Sequence, residues 1–94
     1  MAARIEVEHL AGDEFRVTVS EGGRRTVHTV TVARPYARRL AGDGVAREDL
    51  VRHSFEFLLE HEPKESILGS FDLPVIARYF PGYEPEINRR VRGK

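Results

Sequence analysis

The sequence contains no cysteine and no tryptophan. Without cysteine, disulfide scaffolds, thiolate metal sites and cysteine nucleophiles are excluded. No run approaches the roughly 18 apolar residues of a membrane span, and the N-terminus lacks the apolar stretch of a secretion signal. Neither sign of charge is in excess: 15 Lys and Arg balance 15 Asp and Glu, which argues against a general polyanion binder. Low-complexity segments and internal repeats are missing as well. What remains is a 94-residue chain, 32% charged, of a size for one soluble domain with a modest core. The expected setting is cytoplasmic.

Residues 4–10 alternate Ile5, Val7 and His9 against Arg4, Glu6 and Glu8, a period of two that reads as a half-buried strand. Residues 14–20 alternate more cleanly, with Phe15, Val17 and Val19 opposite Arg16, Thr18 and Ser20. Gly22 and Gly23 then supply the positive φ angles of a tight hairpin. Residues 24–33 are rich in β-branched side chains, but Val27 falls opposite Val30 and Val32, so a bulge near His28 is expected. These segments predict a three-stranded antiparallel meander with one face left for helices to cover.

The stretch from Asp49 to Glu62 reads as one long central helix. Val51, Phe55, Leu58 and Leu59 fall in a sector of about 100°, which should face the core. Leu50 and Phe57 lie on another side, near His61. A helix with two apolar faces is sandwiched, either between two parts of its own chain or against a second copy. Ser54 fits a position where another element approaches closely. Ala46 offers no side-chain cap, and Pro63 ends the helix. Around it, proline punctuates shorter pieces: a turn from Pro35 to Ala41 closed by Gly42, one or two turns over Lys64 to Leu68, a short helix from Pro74 to Phe80, and a last helix from Glu84 with Ile87 and Val91 on one ridge. Ile67, Leu68, Phe71, Leu73, Val75, Ile76, Tyr79 and Phe80 are too many apolar groups to leave in water, so this half should fold over the central helix. The fold class predicted is α+β: a β-meander over residues 1–33 and a helical part over 34–94, in one domain with a basic tail at 89–94.

The run LVRHSFEFLLEHEPKESIL, followed by FDLPVIARYFPGYEPEI, resembles a group of small uncharacterised bacterial proteins. The resemblance covers residues 45–87, and its FDLP and YFPGYE strings are unusual. It implies a cytoplasmic bacterial protein and brings no activity, cofactor or site residue with it. Members of that group often carry Ser or Thr where this chain has Ala46.

Chemistry-bearing constellations are sparse. His53 with Asp49, Glu56 and Glu60 forms a polar helix stripe that presents ligand-type groups, but no HExxH-type spacing occurs, and a solvated stripe is the simpler reading. His9 and His28 fall in phase with the inward strand residues and are candidates to meet across the sheet. Ser20, Ser54, Ser66 and Ser70 lack a nucleophile-elbow context or an obvious base. No nucleophile, base and orienting group occur together, so the sequence points away from an enzyme and from a bound cofactor or metal.

Charge is uneven along the chain. Residues 24–47 hold six arginines against Asp43 alone, residues 48–65 hold six acids against Arg52 and Lys64, and the last six residues hold four cations and no acid. Two functional readings follow. The preferred one is a non-enzymatic protein–protein interaction module, with self-association as one form, whose interface is Leu50, Phe57 and His61. The alternative is a weak DNA- or RNA-associated regulator using Arg24, Arg25, Arg34, Arg38, Arg39, Arg89 and Arg90 to follow a phosphate backbone.

Overall fold

A computed structural model describes residues 3–92. Three antiparallel strands come first, β1 (Arg4–Ala11), β2 (Glu14–Glu21) and β3 (Arg24–Thr31). Helices α1 (Arg34–Ala41) and α2 (Arg47–His61) follow, then a single 3-10 turn at Lys64–Ser66. The chain continues through β4 (Ser70–Asp72), α3 (Val75–Tyr79) and α4 (Tyr83–Arg92). The radius of gyration is 12.4 Å, against about 12 Å for one folded unit of this length. The chain therefore closes around a single core.

Alternation sets the sheet. Ile5 pairs with Val19, Val7 with Val17 and His9 with Phe15, and the same rows continue through Thr26, His28 and Val30 on β3. Phe15, Val17, Val19, Val30 and Val32 are buried to 1% exposure or less. Each such side chain contributes about 1.5–3 kcal/mol relative to exposure. A one-residue slip would turn the whole row to water, so the register is strongly fixed. Gly22 and Gly23 take φ of 59° and 82° at the β2–β3 turn, as a two-residue hairpin requires.

Two features of the sheet differ from the sequence reading. No bulge occurs near His28: β2 and β3 pair without interruption from Glu14–Thr31 to Glu21–Arg24. Val27 simply lies on the outer face, 54% exposed. The register shift lies instead between His9 and Ala11 on β1. Second, the sheet has four strands in the order β1-β2-β3-β4, and β4 runs parallel to β3. Residues 70–72 fall within the part that the sequence assigns to helices, yet they form a strand. It is held by long-range backbone bonds, Thr29 N–H to Gly69 O at 2.8 Å and Leu73 N–H to Thr31 O at 2.9 Å. Buried His28 adds a third tether: its Nδ1–H donates to the Leu68 carbonyl at 2.8 Å, and its Nε2 accepts from the Thr26 hydroxyl at 2.8 Å.

α2 crosses the inner face. It starts two residues before the expected Asp49, with Ala46 making no side-chain cap. Phe55 packs near His28 and Phe71 at ring-centroid distances of 5.3 and 6.1 Å. The other side of α2 is covered by α4, whose Tyr83, Ile87 and Val91 recur every four residues. Such spacing places them along one helix face, and Tyr83 and Ile87 are fully buried. α4 therefore takes in Arg89 to Arg92, which were read as part of a tail; Gly93 and Lys94 lie outside the described residues. α1 closes the edge of this layer through Tyr36, whose hydroxyl donates to Glu84 at 2.8 Å. Asn88 adds a side-chain bond to the Leu40 carbonyl at 2.7 Å.

Candidate functional site

Sequence reasoning nominated Leu50, Phe57 and His61 as a partner interface, and the structure encloses the first two. Leu50 is fully buried and Phe57 is 4% exposed. Tyr83 meets Phe57 nearly edge-on at 5.5 Å. Its hydroxyl donates to Ser54 Oγ at 2.7 Å, and Ser54 donates onward to the Leu50 carbonyl at 2.8 Å. Burial pushes the Tyr83 phenol up, opposed by the Ser54 hydrogen bond. His61 stays exposed, donating to the Phe57 carbonyl and lying 4.4 Å from the Phe57 ring and 5.1 Å from Phe80. The second apolar face of α2 is thus an internal seam, because the C-terminal helix of the same chain fills it.

The nominated arginines do not form one track. Arg24 and Arg25 open β3, and Arg34 follows its far end. Eight residues of strand at about 3.3 Å each separate them by roughly 26 Å. Arg34, Arg38 and Arg39 lie on α1, where Arg38 pairs with Asp43 at 3.1 Å and Arg39 sits 5.1 Å from the Tyr36 ring. Arg34 and Arg38 share a hollow with His9 and Arg47, but Asp43 and Glu48 line it too. On α4, Arg90 pairs with Glu60 and Glu86, both at 2.7 Å, and Arg89 pairs with Glu86 at 2.5 Å. The two guanidiniums hold the Glu86 carboxyl down at about 2. Charge that looks contiguous along the chain is divided in space, and three of these arginines, Arg38, Arg89 and Arg90, are paired with acids.

The histidines are also apart. His9 pairs with Phe15 across β1–β2, stacks on it at 4.8 Å and donates to the Gly12 carbonyl at 2.8 Å. His28 pairs with Val17 one row away on β3. Among the described residues, His53 reaches Glu56 alone, at 3.1 Å. Among the described residues, no three His, Asp or Glu side chains converge as metal ligands.

What the fold leaves open is a groove at the C-terminal end of α2. Its floor is Leu58, Ile67, Phe71 and Ile76, and its walls come from Leu68, Val75, Tyr79 and Phe80, enclosing about 460 Å³. Leu68 is 48% exposed and Tyr79 69% exposed. Burying both on a partner would contribute on the order of 25 cal/mol per Å² of apolar surface removed from water. The physical cause of the groove is local. β4 is only three residues long, α3 has only five, and Pro74 and Pro81 bracket α3. Neither element is long enough to cover the hollow. Two further hollows adjoin the same helix end. One shares Phe80 and also holds His61 and Glu60; the other shares Glu62 and also holds Leu59 and Glu21.

Sequence reasoning did not single out this groove. Its signal was available: eight large apolar residues from Ile67 to Phe80, too closely spaced around Pro74 for all to reach one core. Comparison with protein-family models, curated proteins and solved structures finds no match to this chain.

Proposed function

We propose that this protein is a non-enzymatic interaction module that docks another protein in the groove between the end of α2, β4 and α3. One observation carries the reading: Leu68 and Tyr79, large apolar side chains, stand exposed at the rim of an apolar groove of about 460 Å³. Scattered exposed apolar residues need no explanation, but clustered ones around a concavity mark binding surfaces. This replaces the interface centred on Leu50 and Phe57, which is occupied from within. A second copy of the chain remains one form of partner. The nominated arginines are split between separate elements, and Arg38, Arg89 and Arg90 are paired with acids, which gives the nucleic-acid alternative less support, since sequence-independent affinity depends on adjacent, unneutralised cations.

The test is affinity capture from bacterial lysate with and without nuclease, comparing the wild-type chain with Leu68→Glu. Leu68 is half exposed, so the substitution should alter stability by no more than about 0.5–1 kcal/mol and leave the circular dichroism spectrum unchanged. A specific protein retained by the wild type should be lost, or reduced at least about tenfold, with the variant. Equal retention by both chains would remove the groove from the account, and loss of all captured material on nuclease treatment would favour the nucleic-acid reading.

A further inference from the structure

We infer, building on the docking reading above, that the groove takes a partner segment that is apolar and cationic: large hydrophobic side chains flanked by Lys or Arg. Three observations support this occupant. Among the described residues, the groove is lined by one charged residue, Glu62, and by no cation. Glu62 is half-buried at the C-cap of α2, where the helix already presents partial negative charge. A carboxylate there is unfavourable in isolation, and among the described residues no ion pair or side-chain hydrogen bond satisfies it.

Two nearby cations are committed elsewhere, and Arg78 on α3 does not line the groove. Lys64 is almost fully buried, with Nζ 3.0 Å from Glu65 and 3.8 Å from Glu21. Arg90 is held between Glu60 and Glu86. A carboxylate at the edge of an apolar hollow is complementary to an ammonium or guanidinium delivered by a ligand whose neighbouring side chains fill the hollow. An acidic segment would place like charge beside Glu62 and the helix end, which costs affinity. The groove therefore selects by charge as well as by apolarity.

The experiment is a two-dimensional amide NMR titration of the isotope-labelled full chain with three capped synthetic tetrapeptides. Each has Leu-Phe at its centre, flanked on both sides by Lys, by Ser or by Glu. The Lys-flanked peptide should shift the amides of Glu62, Leu68 and Tyr79 and bind about fivefold or more tightly than the Ser-flanked one, with the Glu-flanked peptide weakest. Glu62→Gln should bring the Lys-flanked peptide to the affinity of the Ser-flanked peptide while the rest of the spectrum stays in place. Equal affinities across the three peptides, or no change with Glu62→Gln, would overturn the cationic preference and leave the docking reading standing. Shifts from none of the peptides at the groove would overturn both.

Discussion

Tyr83→Ala is expected to lower the unfolding free energy by about 3–5 kcal/mol, the range for removing a large buried ring. A domain of this length has a total stability of about 5–14 kcal/mol, so the loss is a large fraction of the whole. The ring is fully buried between α2 and α4, and its loss opens a cavity against Phe57 and leaves Ser54 without its donor. Tyr83→Phe isolates the hydroxyl. Ser54 keeps its bond to the Leu50 carbonyl, so only about 0.5–1.5 kcal/mol should be lost. Urea unfolding followed by circular dichroism measures both. A loss below about 1 kcal/mol for Tyr83→Ala would mean that α4 does not close the second face of α2. The phenols carry a pH signature as well. Burial pushes both Tyr36 and Tyr83 up, Tyr36 further through its bond to Glu84. A folded-state pKa above the unfolded value means that this stability is complete below about pH 10 and falls as pH rises beyond it. Tyr83→Phe should flatten that alkaline decline.

Arg47→Ala is expected to cost about 2–3 kcal/mol, although the sequence placed this residue in a basic block. Its side chain is 10% exposed. One guanidinium nitrogen donates to Asp13 at 2.7 Å and to the Val32 carbonyl at 2.8 Å, and the other reaches the Gly12 carbonyl at 3.3 Å. The plane lies 5.1 Å from the Phe15 ring. One side chain thus ties the β1–β2 turn and the end of β3 to the start of α2, the place where Ala46 supplies no cap. Truncation leaves a carbonyl and a carboxylate without donors. Asp13 is 44% exposed and regains water, which keeps the loss below that of a fully buried pair. Arg47→Lys should recover less than half, because an ammonium cannot reach three acceptors in a fork. Arg39→Ala, on the exposed face of α1, serves as the comparison and should stay within about 0.5 kcal/mol. Equal effects at Arg47 and Arg39 would contradict this assignment.

What was legible in the sequence is what a single period encodes. Phe15, Val17 and Val19 alternate because one face of β2 is buried and the other wet, and that contrast alone marks the meander. β4 had no such signature. Its three residues offer only Phe71 to the core, and its pairing depends on partners some forty residues earlier, so local pattern carried no information about it. Val27 misled for the opposite reason: an exposed valine on an uncovered sheet face imitates a slipped register. The two apolar faces of α2 were readable, yet what covers the second face was not. The matching ridge was present in Tyr83, Ile87 and Val91, but Leu50 and Phe57 by themselves do not distinguish their own helix from a partner's. Charge was the least transferable signal. Arg25 and Arg34, members of one basic block in the sequence, lie at the start of β3 and beyond its far end, while Arg90 is paired with Glu60, thirty residues away. Glu62 drew no notice in the sequence because it is one acid among six in residues 48–65, and only its place beside the groove sets it apart.

The most direct measurement of the docking face is site-specific photo-crosslinking in cells. A photoreactive phenylalanine analogue would replace Tyr79 at the groove, Val27 on the outer face of the sheet, or Arg39 on α1, one position at a time. All three residues are exposed, so each protein should fold as the wild type does. A discrete protein adduct at position 79, with none at 27 or 39, is the result this account predicts. An adduct confined to 27 or 39 would contradict it and move the functional surface to the outer sheet face or to the arginine-bearing helix.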